Sequence, residues 1–127
     1  MEKARILIID DEEDICKFSK STLEKTGKFE VMFSTTAIAG IGLAKAQAPD
    51  LILLDLLMPD MPGADVAEYL SDEPSTSKIP IVFLTALAQK NDVDRGLGKI
   101  GGCFFIAKPV SPQDLVERIQ SILKLES

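Results

Sequence analysis

Four short apolar runs punctuate the chain: Ile6-Leu7-Ile8-Ile9, Leu51-Ile52-Leu53-Leu54, Ile81-Val82-Phe83-Leu84 and Phe104-Phe105-Ile106-Ala107. Each is continuous rather than alternating. That is the pattern of strands covered on both faces of a parallel sheet. A fifth segment, 29–34, places Phe29, Val31 and Phe33 on one face and mixes polar residues into the other, as an edge strand does.

Helical spacing fills the intervals. Residues 13–26 repeat through Ile15, Phe18, Thr22 and Leu23 and stop at Gly27. Residues 36–47 carry Ile38, Ile41 and Ala44, and residues 64–72 carry Val66, Tyr69 and Leu70. The clearest helix is the last. Ser111 suits an N-cap, Pro112 the first helical position, and Asp114 completes the spacing of a capping box. Leu115, Val116, Ile119, Ile122 and Leu123 then form one apolar stripe. The segment 88–102 is the weakest helix. It contains Gly96, Gly98, Gly101 and Gly102, and each interior glycine costs about 1 kcal/mol relative to alanine. Strand and helix alternating five times predict a three-layer α/β domain, with right-handed crossovers placing helices on both faces of a parallel sheet. No repeat, low-complexity tract or linker interrupts the pattern.

Composition agrees and narrows the function. At 127 residues the chain has the length of one domain. A chain of that size buries roughly two-thirds of its surface on folding, enough for a core without disulfides or a structural metal. No apolar run approaches the ~18–20 residues that span a bilayer, and the first residues lack the apolar stretch of a secretory signal. Cys16 and Cys103 leave one long-range bridge open, but reduced core thiols in a cytoplasmic protein are the expectation. Acidic residues outnumber basic ones 20 to 14, for a net charge of −6. This argues against direct binding of nucleic acid, which needs a basic footprint. The chain has no histidine. That excludes Ser-His-Asp and Cys-His catalysis and histidine zinc sites, and the chain cannot itself carry a phosphohistidine.

The chemistry collects after the strands. Asp10 and Asp11 follow the first run, Asp55 the second, Thr85 the third and Lys108 the fourth. In a parallel sheet all these ends lie along one edge, where ligand sites of open α/β sheets form. Three close carboxylates repel one another unless a cation lies between them. Mg²⁺, a hard cation, takes one or two carboxylates plus waters and phosphate oxygens. With Lys108 as a further positive charge, the set suits a phosphoryl group: Asp55 as nucleophile, Thr85 as hydrogen-bond donor. Competing motifs fail on context. Gly96-Leu-Gly98-Lys-Ile-Gly101 has dinucleotide-fingerprint spacing but follows a helix and precedes a strand, the reverse of what that site requires.

The motifs Ile-Leu-Ile-Ile-Asp10-Asp11-Glu12, Leu-Leu-Asp55-Leu-Leu-Met58-Pro59-Asp60-Met-Pro-Gly63, Leu84-Thr85-Ala86 and Phe105-Ile-Ala-Lys108-Pro109 span essentially the whole chain. They resemble those of response-regulator receiver domains of two-component signalling, the family of chemotaxis regulators. The resemblance, not the periodicity, implies a flavodoxin-like doubly wound (βα)5 sheet in the order 2-1-3-4-5. It implies that Asp55 is the phosphoacceptor for a phosphohistidine on a sensor histidine kinase or histidine phosphotransfer protein. It further implies Mg²⁺ held by Asp10, Asp11, Asp55 and the Leu57 backbone carbonyl, a phosphoryl group bound by Thr85 and Lys108, and a cis bond before Pro109. Thr85 and Phe105 fall at switch positions that would alter the surface of segment 88–102, the strand at 104–107 and the last helix. The downstream target or output domain is unnamed, and self-association as a homodimer stays open. A receiver is a signalling phosphoacceptor rather than an enzyme. The alternatives are a phosphorylation-independent pseudo-receiver scaffold and an FMN-binding flavodoxin-like module. Low aromatic content, 6% with no tryptophan, speaks against the latter.

Overall fold

The computed structural model describes residues 3–85, 99–100, 103–107 and 110–123. In chain order these form β1 (Ala4–Ile9), α1 (Glu13–Glu24), β2 (Phe29–Ser34), α2 (Ala37–Gln47), β3 (Leu51–Leu54), α3 (Gly63–Asp72), β4 (Ile81–Thr85), β5 (Lys99–Ile100), β6 (Cys103–Ala107) and α4 (Pro112–Leu123). Five strands pair in parallel in the order β2-β1-β3-β4-β6, the doubly wound arrangement expected. The two-residue β5 adds an antiparallel edge, with Lys99 opposite Phe104 and Ile100 opposite Cys103. The helix expected over 88–102 does not hold at Lys99 and Ile100, and the rest of that segment lies outside the described residues. Gly101 and Gly102 lower helix propensity at that point, and Lys99 and Ile100 pair with a strand instead.

Alternation along the strands divides the core in two. Ile6, Ile8, Leu51, Leu53, Val82, Leu84 and Ile106 join Cys16 and Leu23 of α1 and Leu115 and Ile119 of α4 on one face. Leu7, Ile9, Ile52, Leu54, Ile81 and Phe83 meet α2 and α3 on the other. β1 and β3 are buried almost throughout, which explains their uninterrupted apolar sequence.

On three helices part of the expected stripe faces inward, but one of its large side chains does not. On α1 the buried residues are Cys16, Ser19 and Leu23, and Phe18 is 50% exposed. On α2 they are Ala37, Gly40 and Ala44, and Ile38 is 67% exposed. On α3, Val66 and Leu70 are buried with Gly63 and Ala67, while Tyr69 faces solvent. Close seating selects small residues. A Cβ at Gly40 would fall 2.6–2.9 Å from three side-chain atoms of Ile9, so α2 lies directly on β1. The stripe on α4 matches expectation. Leu115 and Ile119 are buried, Val116, Ile122 and Leu123 pack at their margin, and the Ser111 hydroxyl accepts from the Asp114 N–H at 3.1 Å. No helix among the described residues is long and apolar enough to cross a membrane.

Candidate functional site

β1 and β3 are neighbours in register, with Ile9 opposite Leu54. One step further along each strand stand Asp10 and Asp55, and the Asp55 N–H donates to the Ile9 carbonyl at 2.9 Å. Backbone pairing thus brings together two acids 45 positions apart. Asp10 is 1% exposed and Asp55 6%, whereas Asp11 lies on the surface. One carboxylate oxygen from each of Asp10, Asp11 and Asp55 can be chosen so that all three lie within 4.8 Å of one another.

Both buried acids are oriented by the same local device. The Glu12 N–H donates to Asp10 Oδ1 at 3.0 Å, and the Leu57 N–H approaches Asp55 Oδ1 at 3.5 Å. In each case the carboxylate turns back on the backbone two residues ahead. Asp10 is also fixed through its main chain: its N–H donates to the Ser34 carbonyl at 3.1 Å, and its own carbonyl accepts from the Cys16 thiol at 3.3 Å. Cys16 is thus a buried core residue, as expected, and the side chain of Cys103 lies outside the described residues.

The donor set fits a hard divalent cation. Two unit negative charges 4.8 Å apart repel by roughly 3 kcal/mol at an effective dielectric near 20, and a shared cation reverses that sign. Oxygen donors alone, spaced to meet at one ion, match Mg²⁺ rather than a soft metal. Asp10, Asp11 and Asp55 would hold it, with the Leu57 carbonyl on the adjoining loop.

The rest of the site is placed through its strands. β4 ends at Thr85, beside Ala107 of β6, so the backbone of Thr85 reaches the same sheet edge as the acids. The side chain of Thr85, together with Ala86, Leu87, Lys108 and Pro109, lies outside the described residues. Phe105 sits on β6 with its ring 5.1 Å from that of Phe83 and tilted by 31°. It is half-buried against the α2–α3 side of the core, and Arg118 of α4 donates to its carbonyl at 3.2 Å.

One contribution escaped the sequence reading, and Gly63, expected only as part of a turn after Asp55, gains a specific contact. Asp60, which has no marked chemistry in its motif, accepts from the N–H groups of Ala37 and Ile38 at the start of α2. These bonds, the one from Ala37 foremost, hold its carboxyl below the usual carboxylate range. Gly63 packs against the backbone of Asp55 and Leu56. The signal for Gly63 was present as a glycine opening a helix. That for Asp60 was not, because its partners lie 22 and 23 residues away.

Comparison with known proteins agrees with this geometry. The family described as the response regulator receiver domain matches residues 6–120. The polar-differentiation response regulator DivK of Brucella ovis is 33% identical over 119 residues, covering 93% of this chain and 94% of DivK. The probable transcriptional regulator ycf27 of Porphyridium aerugineum is 36% identical over 124 residues, and the chain, 98% of it aligned, spans 50% of the length of that relative. Among solved structures, a CheY-like receiver domain protein of Methanospirillum hungatei superposes with a TM-score of 0.81 at 31% identity, covering 97% of this chain and 95% of that one. A match extending from β1 into the last helix, over a sheet wound in the same order, makes this chain a member of the response regulator receiver family of two-component systems.

Proposed function

We propose that the chain is a Mg²⁺-dependent phosphoacceptor. Asp55 takes the phosphoryl group, and the donor is a phosphohistidine on a sensor histidine kinase or histidine phosphotransfer protein. The observation that carries this reading is the convergence of Asp10, Asp11 and Asp55 within 4.8 Å at the ends of two neighbouring parallel strands. In the transfer, an Asp55 carboxylate oxygen attacks phosphorus. The P–O bond forms as the P–N bond to the donor imidazole breaks, and the electron pair returns to the imidazole nitrogen. When bound, Mg²⁺ neutralises charge on the transferring group. Asp10 and Asp11 would hold the ion together with Asp55. Lys108 and Thr85 are assigned to the phosphoryl oxygens, and Thr85 and Phe105 to the shift that follows. The altered surface of segment 88–102, β6 and α4 is then read by a downstream target or output domain. The protein acts as a cytoplasmic signalling component and assists its own modification without turning over a separate substrate.

Acetyl phosphate supplies the test, because it needs no cognate kinase. The parent chain should gain one phosphoryl group in Mg²⁺ and none in excess EDTA, and Asp55→Asn should gain none in either. Single-site labelling retained in Asp55→Asn would refute the assignment. An unlabelled parent would favour a phosphorylation-independent scaffold.

A further inference from the structure

We propose that Asp60 is a positioning residue for the metal-binding loop: its carboxylate ties the loop of residues 55–62 to the amino end of α2 and thereby sets the position of the Leu57 backbone carbonyl. Asp60 Oδ2 accepts from the N–H of Ala37 at 2.9 Å and of Ile38 at 3.2 Å, and Oδ1 lies 3.1 Å from the same Ala37 nitrogen. The first N–H groups of a helix have no partner within it and favour an anion. Here the anion comes from a different element, so capping α2 also anchors a loop.

The side chains of Leu56, Met58 and Met61 pack this loop on the core, and the Pro62 carbonyl accepts from the N–H groups of Asp65 and Val66. Few hydrogen bonds among the described residues, however, fix the backbone between Leu57 and Met61. Pro59 and Pro62 have no N–H to donate. At its base Gly63 N–H donates to the Leu56 carbonyl at 2.8 Å, while the Leu57 N–H reaches Asp55 Oδ1 only at 3.5 Å, at the limit of a hydrogen bond. The partner end is seated closely on the sheet. Gly40 seats α2 on Ile9, the residue before Asp10. Asp10, just past β1, and Leu57 on the loop are therefore both located relative to α2, one through packing and one through Asp60.

This role rests on the Mg²⁺ site proposed above, and the test separates the two. Mg²⁺ binding is titrated calorimetrically on the full chain and on Asp60→Ala, Asp60→Asn and Thr36→Ala. Thr36 is the control, because its hydroxyl caps the same helix by accepting from the Ala39 N–H at 3.3 Å without touching the loop. Asp60 is exposed, so its variants keep the core. Asp60→Ala should weaken Mg²⁺ by about tenfold, the low end of what outer-shell partners of a metal contribute. Asp60→Asn, which keeps an acceptor oxygen, should lose less, and Thr36→Ala should stay near the parent. Amide exchange at Leu57 in metal-free protein should quicken in Asp60→Ala and not in Thr36→Ala. Parental affinity in Asp60→Ala, or equal losses in Asp60→Ala and Thr36→Ala, overturns the tether. A parent that does not bind Mg²⁺ overturns the metal site instead. The exchange rates then decide on the tether alone, unchanged rates counting against it.

Discussion

Gly63 lies so close to Asp55 that a side chain at position 63 has nowhere to go. A Cβ built there would overlap the Asp55 carbonyl oxygen and fall 2.8 Å from Leu56 Cα. Both obstacles are backbone, which cannot rotate aside. Gly63→Ala must therefore displace either the start of α3 or the segment carrying the acid. Alanine improves helix propensity by up to about 1 kcal/mol, but overpacking costs typically 1–3 kcal/mol. The clash wins because it involves main chain. Urea unfolding should show a net loss of roughly 1–2 kcal/mol, together with slower phosphoryl uptake. A variant as stable as the parent would mean that the contact is relieved without strain.

The acid cluster gives a prediction of opposite sign. Asp11 is exposed but shares a 4.8 Å neighbourhood with two buried acids, so in metal-free protein it adds repulsion. Asp11→Asn should raise the melting temperature in EDTA by a few degrees, about 3–5 °C for each kcal/mol of repulsion relieved in a chain of this length. The same variant should lose most of the stabilisation that Mg²⁺ gives the parent by mass action. Scans of both proteins with and without Mg²⁺ check this. A variant that melts lower than the parent in EDTA would show that Asp11 is held by attraction, not crowding.

The strand ends were legible because period and order sufficed. Ile6–Ile9 and Leu51–Leu54 read as buried strands, and in a parallel sheet the acids that follow them share an edge, as the structure has it. Helix faces were legible only where packing follows size. Leu115 and Ile119 of α4 bury as the apolar stripe indicates, whereas α2 turns Gly40 rather than Ile38 to the sheet. A periodicity count weights large apolar residues and misses close approach through small ones. Long-range polar contacts carried no local signal at all: neither the Asp60 cap on α2 nor the Arg118 bond to the Phe105 carbonyl has a motif.

The Asp60 cap also predicts a pH dependence. Its carboxyl is held low first by the Ala37 N–H, and the N–H groups of Ile38, Asp60 and Met61 act in the same direction against a partial opposition from burial. A folded-state pKa below the unfolded value contributes stability above the unfolded value and loses it as pH falls through the folded one. The melting-temperature gap between the parent and Asp60→Asn should therefore be full at neutral pH and shrink from about pH 4 downward. Because the comparison is a difference, the other carboxylates cancel. A gap that stays constant into acid would assign the bonds no dependence on charge.

Leu57 sets the last expectation, the lifetime of the modified state. It follows Asp55 by two residues, and its side chain is 63% exposed on the loop beside the acid. Under the proposed function, the exposed Leu57 side chain would border the path of the water that hydrolyses the acyl phosphate. Hydrolysis of that bond needs a water held in line with phosphorus, and an apolar side chain offers it no hydrogen bond. Spontaneous dephosphorylation in Mg²⁺ should accordingly be slow, with a half-life well beyond seconds. Leu57→Asn supplies both a donor and an acceptor at an exposed position, so the core is undisturbed. It should quicken the loss by roughly tenfold, a barrier change of about 1.4 kcal/mol. Phosphate release followed after desalting from acetyl phosphate measures both rates. If the parent decays within seconds, water is oriented by some other group. If the asparagine variant keeps the parental rate, position 57 does not border the attacking water.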